Sequence, residues 1–353
     1  MSAQSQPEIR LALDAMGGDR APDMVVAGAA LALAQHPNLR FLFFGDEARV
    51  RPLLDRHPAL ASASTLMHTS DIVTNDAKPS VALRAGRQSS MRLAINAVDD
   101  GAADAVVSAG NTGALMAMAK FVLKTVPGID RPAIASIMPT PRRPTVMLDL
   151  GANVECDADN LMQFAIMGEV FARVLLNIER PTIGLLNVGS EEQKGHEELR
   201  AAHALLRENK LNLDFRGFVE GDDITAGTID VVVTDGFTGN VALKAAEGVA
   251  RLYAQLMRDA FSSSLLSKIG YALAKTALVR ARKRIDPRRY NGAILLGLGG
   301  IAVKSHGGAD AIGFANAIGV AINMASIGLV ERIQEELQRQ NGEPRAAPHT
   351  AAV

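Results

Sequence analysis

Four short segments of the sequence combine closely spaced glycines with small polar or acidic side chains. Each follows a run of apolar, often β-branched residues that is typical of a buried strand. Ligands of open parallel sheets bind beyond the carboxyl ends of the strands, so we expect the chemistry at these four strand ends. The segments are Asp14-Ala-Met-Gly-Gly-Asp19, Ser108-Ala-Gly-Asn-Thr-Gly113, Asp149-Leu-Gly-Ala-Asn153 and Asp235-Gly-Phe-Thr-Gly-Asn240.

The segment 108–113 is the best candidate for an anion site. It lies between a predicted strand and a predicted helix, and its two glycines let the backbone approach a ligand. Backbone N–H groups at a helix N-terminus carry partial positive charge, which favours phosphate. The alternative is a tight turn in which Asn111 only caps the helix. The residues predicted to bind phosphate are Ser108, Gly110, Asn111, Thr112 and Gly113.

Two further strand ends are predicted to border the same ligand. The segment 235–240 allows the same two interpretations as 108–113, and the segment 14–19 places two glycines between two acids. The substrate-binding residues predicted in these loops are Asp14, Gly17, Gly18, Asp235, Thr238 and Gly239.

Cations that can neutralise a phosphate stand in two other glycine-flanked loops. Lys194 lies in Gly189-Ser-Glu-Glu-Gln-Lys-Gly195, and Lys304 and His306 lie in Lys304-Ser-His-Gly-Gly308. A loop lysine is usually only solvated. The predicted position at the ligand edge favours a role in binding.

Three other patterns suggest chemistry that the sequence does not support. Gly297-Leu-Gly-Gly-Ile-Ala302 matches a dinucleotide motif, but no immediate helix and no acid about 20 residues later follow it. His196 and His203 share a helix face without the HExxH pattern, so we expect no metal. Cys156 has no nucleophile signature around it and is expected to serve packing.

The elements that position these residues alternate in type along almost the whole chain, which predicts an α/β fold with a three-layer, doubly wound sheet. Aromatic residues are only 4% and Trp is absent, as suits strands covered on both faces by helices. We expect one α/β/α domain over residues 1–342 and a flexible tail at 343–353. Strands are predicted at 9–14, 39–45, 65–68, 105–108, 133–138, 146–150, 182–188, 215–219, 229–234 and 293–298, and helices at 22–35, 80–99, 112–125, 159–177, 195–208, 240–262 and 308–340.

Charge and composition narrow the class of protein. A formal net charge of -1 excludes a globally basic nucleic-acid binder. The single cysteine and an N-terminus without an apolar signal region favour a cytoplasmic protein. The uncharged run 311–330 is long enough for a membrane span, but Asn316 and Asn323 favour a buried helix.

A basic amphipathic excursion is predicted at 258–290, inside the catalytic domain. From Lys275 to Arg289 the sequence has seven basic residues and a single acid, Asp286, and apolar residues such as Leu266 and Leu273 accompany them. A solvated helix face is one interpretation, and an acidic protein partner or anionic lipid is the other. The predicted partner surface comprises Lys275, Arg280, Arg282, Lys283, Arg284, Arg288 and Arg289.

Five motifs together closely resemble those of the PlsX family, over about residues 9–340. Gln193 stands where many relatives have an acid, while Lys194 and Gly195 are in place. The motifs are Leu11-Ala-Leu-Asp-Ala-Met-Gly-Gly-Asp19, Val107-Ser-Ala-Gly-Asn-Thr-Gly-Ala114, Leu148-Asp-Leu-Gly-Ala-Asn153, Leu186-Asn-Val-Gly-Ser-Glu-Glu-Gln-Lys-Gly195 and Thr234-Asp-Gly-Phe-Thr-Gly-Asn240.

The resemblance implies a fold akin to phosphotransacetylases and isocitrate dehydrogenases, and an enzyme that moves a fatty acyl group from acyl carrier protein to inorganic phosphate. It also implies a homodimer without a cofactor that attaches reversibly to the cytoplasmic membrane. The acyl phosphate would pass to a membrane glycerol-3-phosphate acyltransferase for phospholipid synthesis. A coenzyme A-dependent phosphotransacylase and a non-catalytic adaptor for acidic partners are the alternatives.

Phosphate is already a nucleophile, so we expect positioning and charge screening and no acyl-enzyme. In this interpretation the segment 108–113 cradles phosphate, and Lys194 and Lys304 neutralise it. Asn153 or Asn240 donates to the oxyanion, and His306 protonates the leaving sulfur.

Overall fold

The computed structural model describes residues 8–208, 213–284 and 286–340, with the backbone alone at 281–284, 287, 289 and 340. Its strands form one sheet in the order β3-β2-β1-β4-β11-β10-β5-β6-β9-β7-β8. The strands are β1 (Ile9–Asp14), β2 (Leu39–Gly45), β3 (Ser64–His68), β4 (Ala105–Ser108), β5 (Ala133–Met138), β6 (Thr145–Leu148), β7 (Thr182–Leu186), β8 (Asp214–Val219), β9 (Val231–Val233), β10 (Ala293–Leu296) and β11 (Ile301–Lys304).

The sheet is mixed, and this decides which strand ends can share a ligand. β10 is antiparallel to both β11 and β5, and β5 is antiparallel to β6. The other neighbouring pairs are parallel. The carboxyl ends of β1, β4 and β11 therefore lie at one edge of the sheet, here called the first edge. Those of β6, β9 and β7 lie at the opposite edge.

Helices cover both faces of the sheet, as the predicted three-layer α/β/α fold requires. Alternate strand residues face the two layers, so that Leu11 and Leu13 belong to one core cluster and Ala12 to the other. The helices are α1 (Asp23–Gln35), α2 (Glu47–Leu54), α3 (Pro58–Ser62), α4 (Pro79–Ala85), α5 (Ser90–Asp99), α6 (Thr112–Leu123), α7 (Ala158–Leu175), α8 (Glu197–Glu208), α9 (Asp223–Ala226), α10 (Gly236–Ser262), α11 (Leu265–Arg284), α12 (Ala311–Ser326) and α13 (Leu329–Gln340), with a 3₁₀ helix at Pro287–Tyr290.

Two predicted helices are interrupted. The segment 80–99 forms α4 and α5, because α4 stops at Gly86 and the Ser89 hydroxyl caps a new helix by accepting a hydrogen bond from the Arg92 N–H. The segment 308–340 forms α12 and α13, which Gly328 separates in the left-handed conformation at φ +61°.

The apolar run 311–330 forms most of α12, a core helix. Phe314, Ala317 and Ile318 are fully buried there, which confirms the predicted buried helix. No single helix of the described residues has the length and apolar character of a membrane span. The pair Ala311–Ser326 and Leu329–Arg339, bent by 50°, meets those criteria only when its two helices are taken together.

The helical excursion is larger than predicted. α10 begins at Gly236 and has 27 residues, so it is about 40 Å long at 1.5 Å per residue. α11 folds back against it, and the rings of Phe261 and Tyr271 lie 5.5 Å apart across the pair. Much of the apolar surface of this helical pair is exposed, including Leu256, Leu265 and Leu273.

Candidate active site

A buried carboxylate organises the first edge. Asp14, at the end of β1, accepts hydrogen bonds of 2.6 Å from the Ser90 hydroxyl and 2.6 Å from the Ser108 hydroxyl. Burial raises the pKa of Asp14, and the serine hydrogen bonds oppose that rise. A Cβ on Gly17 would lie 2.4 Å from the Asp14 carboxylate and 2.7 Å from the Gly110 nitrogen, so only glycine fits this turn.

The predicted phosphate segment is built on this carboxylate. The Ser108 hydroxyl accepts a hydrogen bond of 3.0 Å from the Gly110 N–H, which removes that donor from ligand binding. The Asn111 side chain caps α6 through the Ala114 N–H and donates to the backbone oxygens of residues 75 and 77. Its amide is therefore structural, as the alternative interpretation of the sequence held.

Two backbone donors remain at this helix N-terminus. Within the described residues, no acceptor bonds the N–H groups of Thr112 and Gly113, which lie in the first turn of α6. Because the helix dipole concentrates positive charge there, these two groups can bind an anion.

Lys304 lies next to this turn. It ends β11 directly beside Ser108 of β4, and it shares a sheet face with Ala302 in the cluster that packs against α6. Its ammonium donates to the Ser305 carbonyl. Burial lowers the pKa of Lys304 to about 8, attraction to Asp14 opposes this shift, and repulsion from Lys244 adds to it.

His306 follows in a loop that Asn291 holds. The Asn291 oxygen accepts from the His306 N–H, and its amide nitrogen donates to Ser305. The Gly308 N–H donates to Nδ1 of His306, so the proton of the neutral ring is on Nε2. Burial lowers the pKa of His306, and the positive charges of Lys244 and Lys304 lower it further. The neutral imidazole can therefore donate a hydrogen bond through Nε2.

Lys244 is a cation that the sequence analysis missed. It is an exposed residue of α10, it pairs with Glu247 at 3.0 Å, and its charge reaches both Lys304 and His306. Asn240 is four residues earlier and therefore on the same stripe of the helix. The i, i+4 spacing of Asn240 and Lys244 in the predicted helix 240–262 was the signal from which Lys244 could have been found.

The opposite edge holds a second buried carboxylate, and its hydrogen bonds stabilise the surrounding loop. Asp149 accepts hydrogen bonds from the backbone of Ile134, Gly151, Ala152 and Asn153 and from the Asn153 side chain. Burial raises its pKa against these hydrogen bonds. The Asn153 amide also donates to the Pro132 carbonyl and is buried, so it has no free donor for an oxyanion.

The segment 235–240 starts α10 at this opposite edge. The Asp235 carboxylate accepts from both the N–H and the hydroxyl of Thr238, which makes it a helix cap. A Cβ on Gly239 would lie 1.9 Å from the Asp149 carbonyl oxygen, so glycine is required for this close contact. Asn240 is exposed and near Gly151, and from there α10 leads towards Lys244 and the first edge.

Lys194 also lies at the opposite edge, apart from Lys304. It is exposed and pairs with Glu191 at 2.8 Å, and the hydrogen bond between them raises its pKa. Four strands lie between β7, which precedes its loop, and β11. Five strand spacings amount to roughly 24 Å. Within one chain the structure does not bring the two predicted phosphate lysines together.

Cys156 and the acidic residues give no sign of other chemistry. The thiol is buried, and burial together with the nearby Asp149 raises its pKa to about 12, which disfavours the reactive thiolate. No cluster of His, Cys, Asp and Glu within the described ranges could hold a metal ion.

The predicted partner surface is only partly described. Lys275 and Arg280 lie on α11, whereas the side chains of Arg282, Lys283, Arg284 and Arg289 lie outside the described part. Arg288 is bound by the carboxylates of Asp286, at 2.7 Å, and Asp310, at 3.1 Å. Its guanidinium ties the 3₁₀ helix to α12 and is less available to a partner than the sequence predicted.

Known structures with this arrangement identify the class of fold. A phosphotransacetylase from Streptococcus pyogenes aligns with a TM-score of 0.61 at 18% identity, covering 92% of this chain and 94% of that one. A branched-chain phosphotransacylase from Enterococcus faecalis aligns at 0.56 and 13% identity, covering 90% and 99%. The chain therefore has the three-layer fold of phosphotransacetylases, as predicted.

The sequence comparisons then show the family. Residues 9–332 match the family described as "Fatty acid synthesis protein". A phosphate acyltransferase from Rhodospirillum centenum is 66% identical over 337 residues, 96% of this chain and 95% of that protein. One from Rhodospirillum rubrum is 57% identical, covering 97% and 98%. The chain belongs to this family, the PlsX family of phosphate acyltransferases, which confirms the resemblance.

Proposed function

We propose that this enzyme transfers a fatty acyl group from acyl carrier protein to inorganic phosphate. The observation that carries the proposal is the convergence of Thr112, Gly113 and Lys304 at the first edge. Two backbone N–H groups there have no acceptor among the described residues, and a partly buried ammonium lies beside them. Lys244 adds positive charge from α10. This arrangement suits a phosphate with two negative charges.

The reaction needs little from the protein beyond this binding. An oxygen of hydrogen phosphate attacks the thioester carbonyl carbon, a C–O bond forms, and the C–S bond breaks. The proton of hydrogen phosphate goes to the leaving thiolate, so the products are acyl phosphate and a free thiol. Lys304 and the α6 N–H groups hold the phosphate oxygens. We assign the donor to the oxyanion or the sulfur to the Nε2–H of neutral His306, with the Asn240 amide, four residues before Lys244 on α10, as the other candidate.

The partners follow from the surface of α10 and α11. Acyl carrier protein and the cytoplasmic membrane are both anionic, and α11 offers Lys275 and Arg280 beside exposed Leu266 and Leu273. We place the protein on the cytoplasmic face of the membrane as a homodimer. There it would supply acyl phosphate to the membrane glycerol-3-phosphate acyltransferase for phosphatidate synthesis.

A coenzyme A thioester is the second candidate donor. The chain shares its fold with a phosphotransacetylase, and the phosphate site at the first edge would serve either thioester. A carrier-protein donor gives the basic residues of α11 a role in binding the donor, in addition to their proposed contact with the membrane.

The test is phosphate-dependent release of thiol from both donors, with the purified full chain. We expect acyl carrier protein to give the higher kcat/KM. Thr112→Pro removes one of the two free N–H groups at a position where helices accept proline, so the fold should survive. Because a hydrogen bond to a charged group contributes about 1.5–3 kcal/mol, the KM for phosphate should rise roughly tenfold or more. Thr112→Ala keeps the N–H and is the matched control. Equal phosphate KM values for the two variants would contradict this site.

A further inference from the structure

A cavity beside α10 has no role in the chemistry described so far. Its volume is about 510 Å³, within the range of about 300–1,000 Å³ typical of small-molecule sites. Met138, Met147 and Leu186 line it on the sheet side. Among the described residues that line it, none is charged, and the only polar side chains are those of Asn187, Thr225 and Thr238. Such a lining suits an uncharged, apolar ligand.

The helix side of the cavity is apolar and open to solvent. Phe237, Val241 and Val249 of α10 are 63%, 53% and 66% exposed. Between them, alanines at 242, 245 and 246 leave space between the helix and the sheet. Apolar side chains exposed on the wall of a cavity are stabilised when an apolar occupant replaces the water.

The sheet side of the cavity lies two strands away from the proposed phosphate site. Met138 ends β5, and a single strand, β10, separates β5 from β11 and Lys304. Two strand spacings are roughly 10 Å. Lys244 stands on α10 between Val241 and Ala245, with its charge reaching Lys304. A ligand with a reactive polar end near Lys304 and an apolar tail would meet both environments at once.

We infer that this cavity binds the hydrocarbon chain of the acyl donor. The inference rests on the proposed function, since the thioester carbonyl must lie at the phosphate while its chain needs an apolar site nearby. Burial of each further methylene contributes about 0.8 kcal/mol, which corresponds to roughly fourfold in kcat/KM. The enzyme should therefore prefer long acyl chains until the cavity is full.

Ala245→Trp tests the inference by filling the cavity from an exposed position. We expect kcat/KM for a palmitoyl donor to fall at least tenfold, while a butyryl donor changes less than twofold and the KM for phosphate is unchanged. Ala204→Trp, the same substitution at an exposed position of α8 outside the cavity, is the matched control. A thermal melt checks that both variants are folded. Equal losses with both donors in a folded Ala245→Trp protein would overturn the inference.

Binding of the fluorescent fatty acid cis-parinaric acid provides a readout that does not need turnover. The wild-type chain and Ala204→Trp should bind it, and Ala245→Trp should not. Binding to wild type without phosphate-dependent acyl transfer would refute the proposed function while supporting the cavity as an acyl site. Undiminished binding to Ala245→Trp would refute the acyl site. If Ala245→Trp changes the oligomeric state and leaves chain-length preference intact, a second copy covers the cavity and the inference fails.

Discussion

Replacing Lys304 by methionine removes a charge that the structure places at the proposed phosphate site. Two unit charges about 4 Å apart interact by roughly 4 kcal/mol at the effective dielectric near a protein surface, which corresponds to about a thousandfold in rate. Neighbouring Lys244 screens part of this loss. We therefore expect kcat/KM for phosphate to fall by about two to three orders of magnitude in Lys304→Met.

The pH dependence gives a second signature of the same residue. The pKa of Lys304 is lowered to about 8 in the free protein, so kcat/KM should fall as pH rises through that value and the ammonium loses its proton. Lys304→Met should lack this limb. Bound phosphate stabilises the ammonium, which moves the corresponding limb of kcat to higher pH.

The folding stability should change with pH in the direction opposite to kcat/KM. Below pH 8 both the folded and the unfolded protein carry a protonated Lys304, and the folded state is destabilised by its burial. Between about pH 8 and the unfolded pKa of 10.5 the unfolded state binds more protons, so this group's contribution to folding stability increases with pH. The full difference is about 3 kcal/mol, and Lys304→Met should not show it in denaturant titrations.

The assay is initial thiol release across pH and phosphate concentration, with Lys120→Met as the control. Lys120 is an exposed lysine of α6 that bonds the Asp130 carbonyl, so its loss changes the net charge equally without touching the site. If kcat/KM for phosphate in Lys304→Met stays within threefold of wild type, or the limb near pH 8 persists, Lys304 does not bind the phosphate.

Three further variants test the surrounding assignments. Asp14→Asn removes the attraction that keeps Lys304 protonated, so the high-pH limb of kcat/KM should move below pH 8. A limb that does not move would show that the Asp14 charge does not set the pKa of Lys304. Cys156→Ala should remain active, and mass spectrometry of enzyme with donor alone should show no added acyl mass, because the thiol has a pKa of about 12; a stoichiometric acyl adduct would exclude direct attack by phosphate. Reversal of Arg282, Lys283 and Arg284 to Glu should raise the KM for carrier-protein donor and weaken liposome flotation at low salt, with no change for a short pantetheine donor; no effect on either partner would leave this stretch a solvated helix face.

The strands at the centre of the site were predictable, but the sheet's direction was not. β1 and β4 have the predicted bounds because each is a short apolar run that ends at a polar residue and a glycine turn. β11 was missed, because only four residues separate it from the end of β10 and it follows the paired glycines Gly299 and Gly300. Three successive antiparallel pairings, of β11 with β10, β10 with β5 and β5 with β6, reverse the direction of β6, β9, β7 and β8 relative to β1, β4 and β11. Local sequence carries little information on such pairing, because it depends on contacts between distant segments.

The same limit applies to individual side chains. The spacing of Asn111 allowed both a phosphate ligand and a helix cap, and the choice depends on carbonyl oxygens more than 30 residues earlier in the chain. Asp14 was predicted at a ligand edge, but its hydroxyl partner Ser90 belongs to a helix with no motif of its own. Long-range packing therefore decides which polar residues face a ligand and which support the loops around it.

The separation of Lys194 from Lys304 leads to the last prediction. Both stand in motifs that resemble the family, yet roughly 24 Å of sheet lies between them within one chain. We therefore predict that in the proposed homodimer Lys194 of one copy acts at the first edge of the other. Lys194→Met and Lys304→Met should then each be nearly inactive alone, while a mixture refolded or coexpressed together should regain activity. Random pairing makes half of the dimers mixed, and each mixed dimer contains one site with both lysines and one with neither. The mixture should therefore reach about a quarter of the wild-type rate. A mixture of Lys194→Met with wild type should only lower the rate in proportion to the fraction of the variant. If Lys194→Met is inactive and the mixture stays inactive, Lys194 serves its own chain, and a movement of the opposite edge towards Lys304 must accompany the reaction.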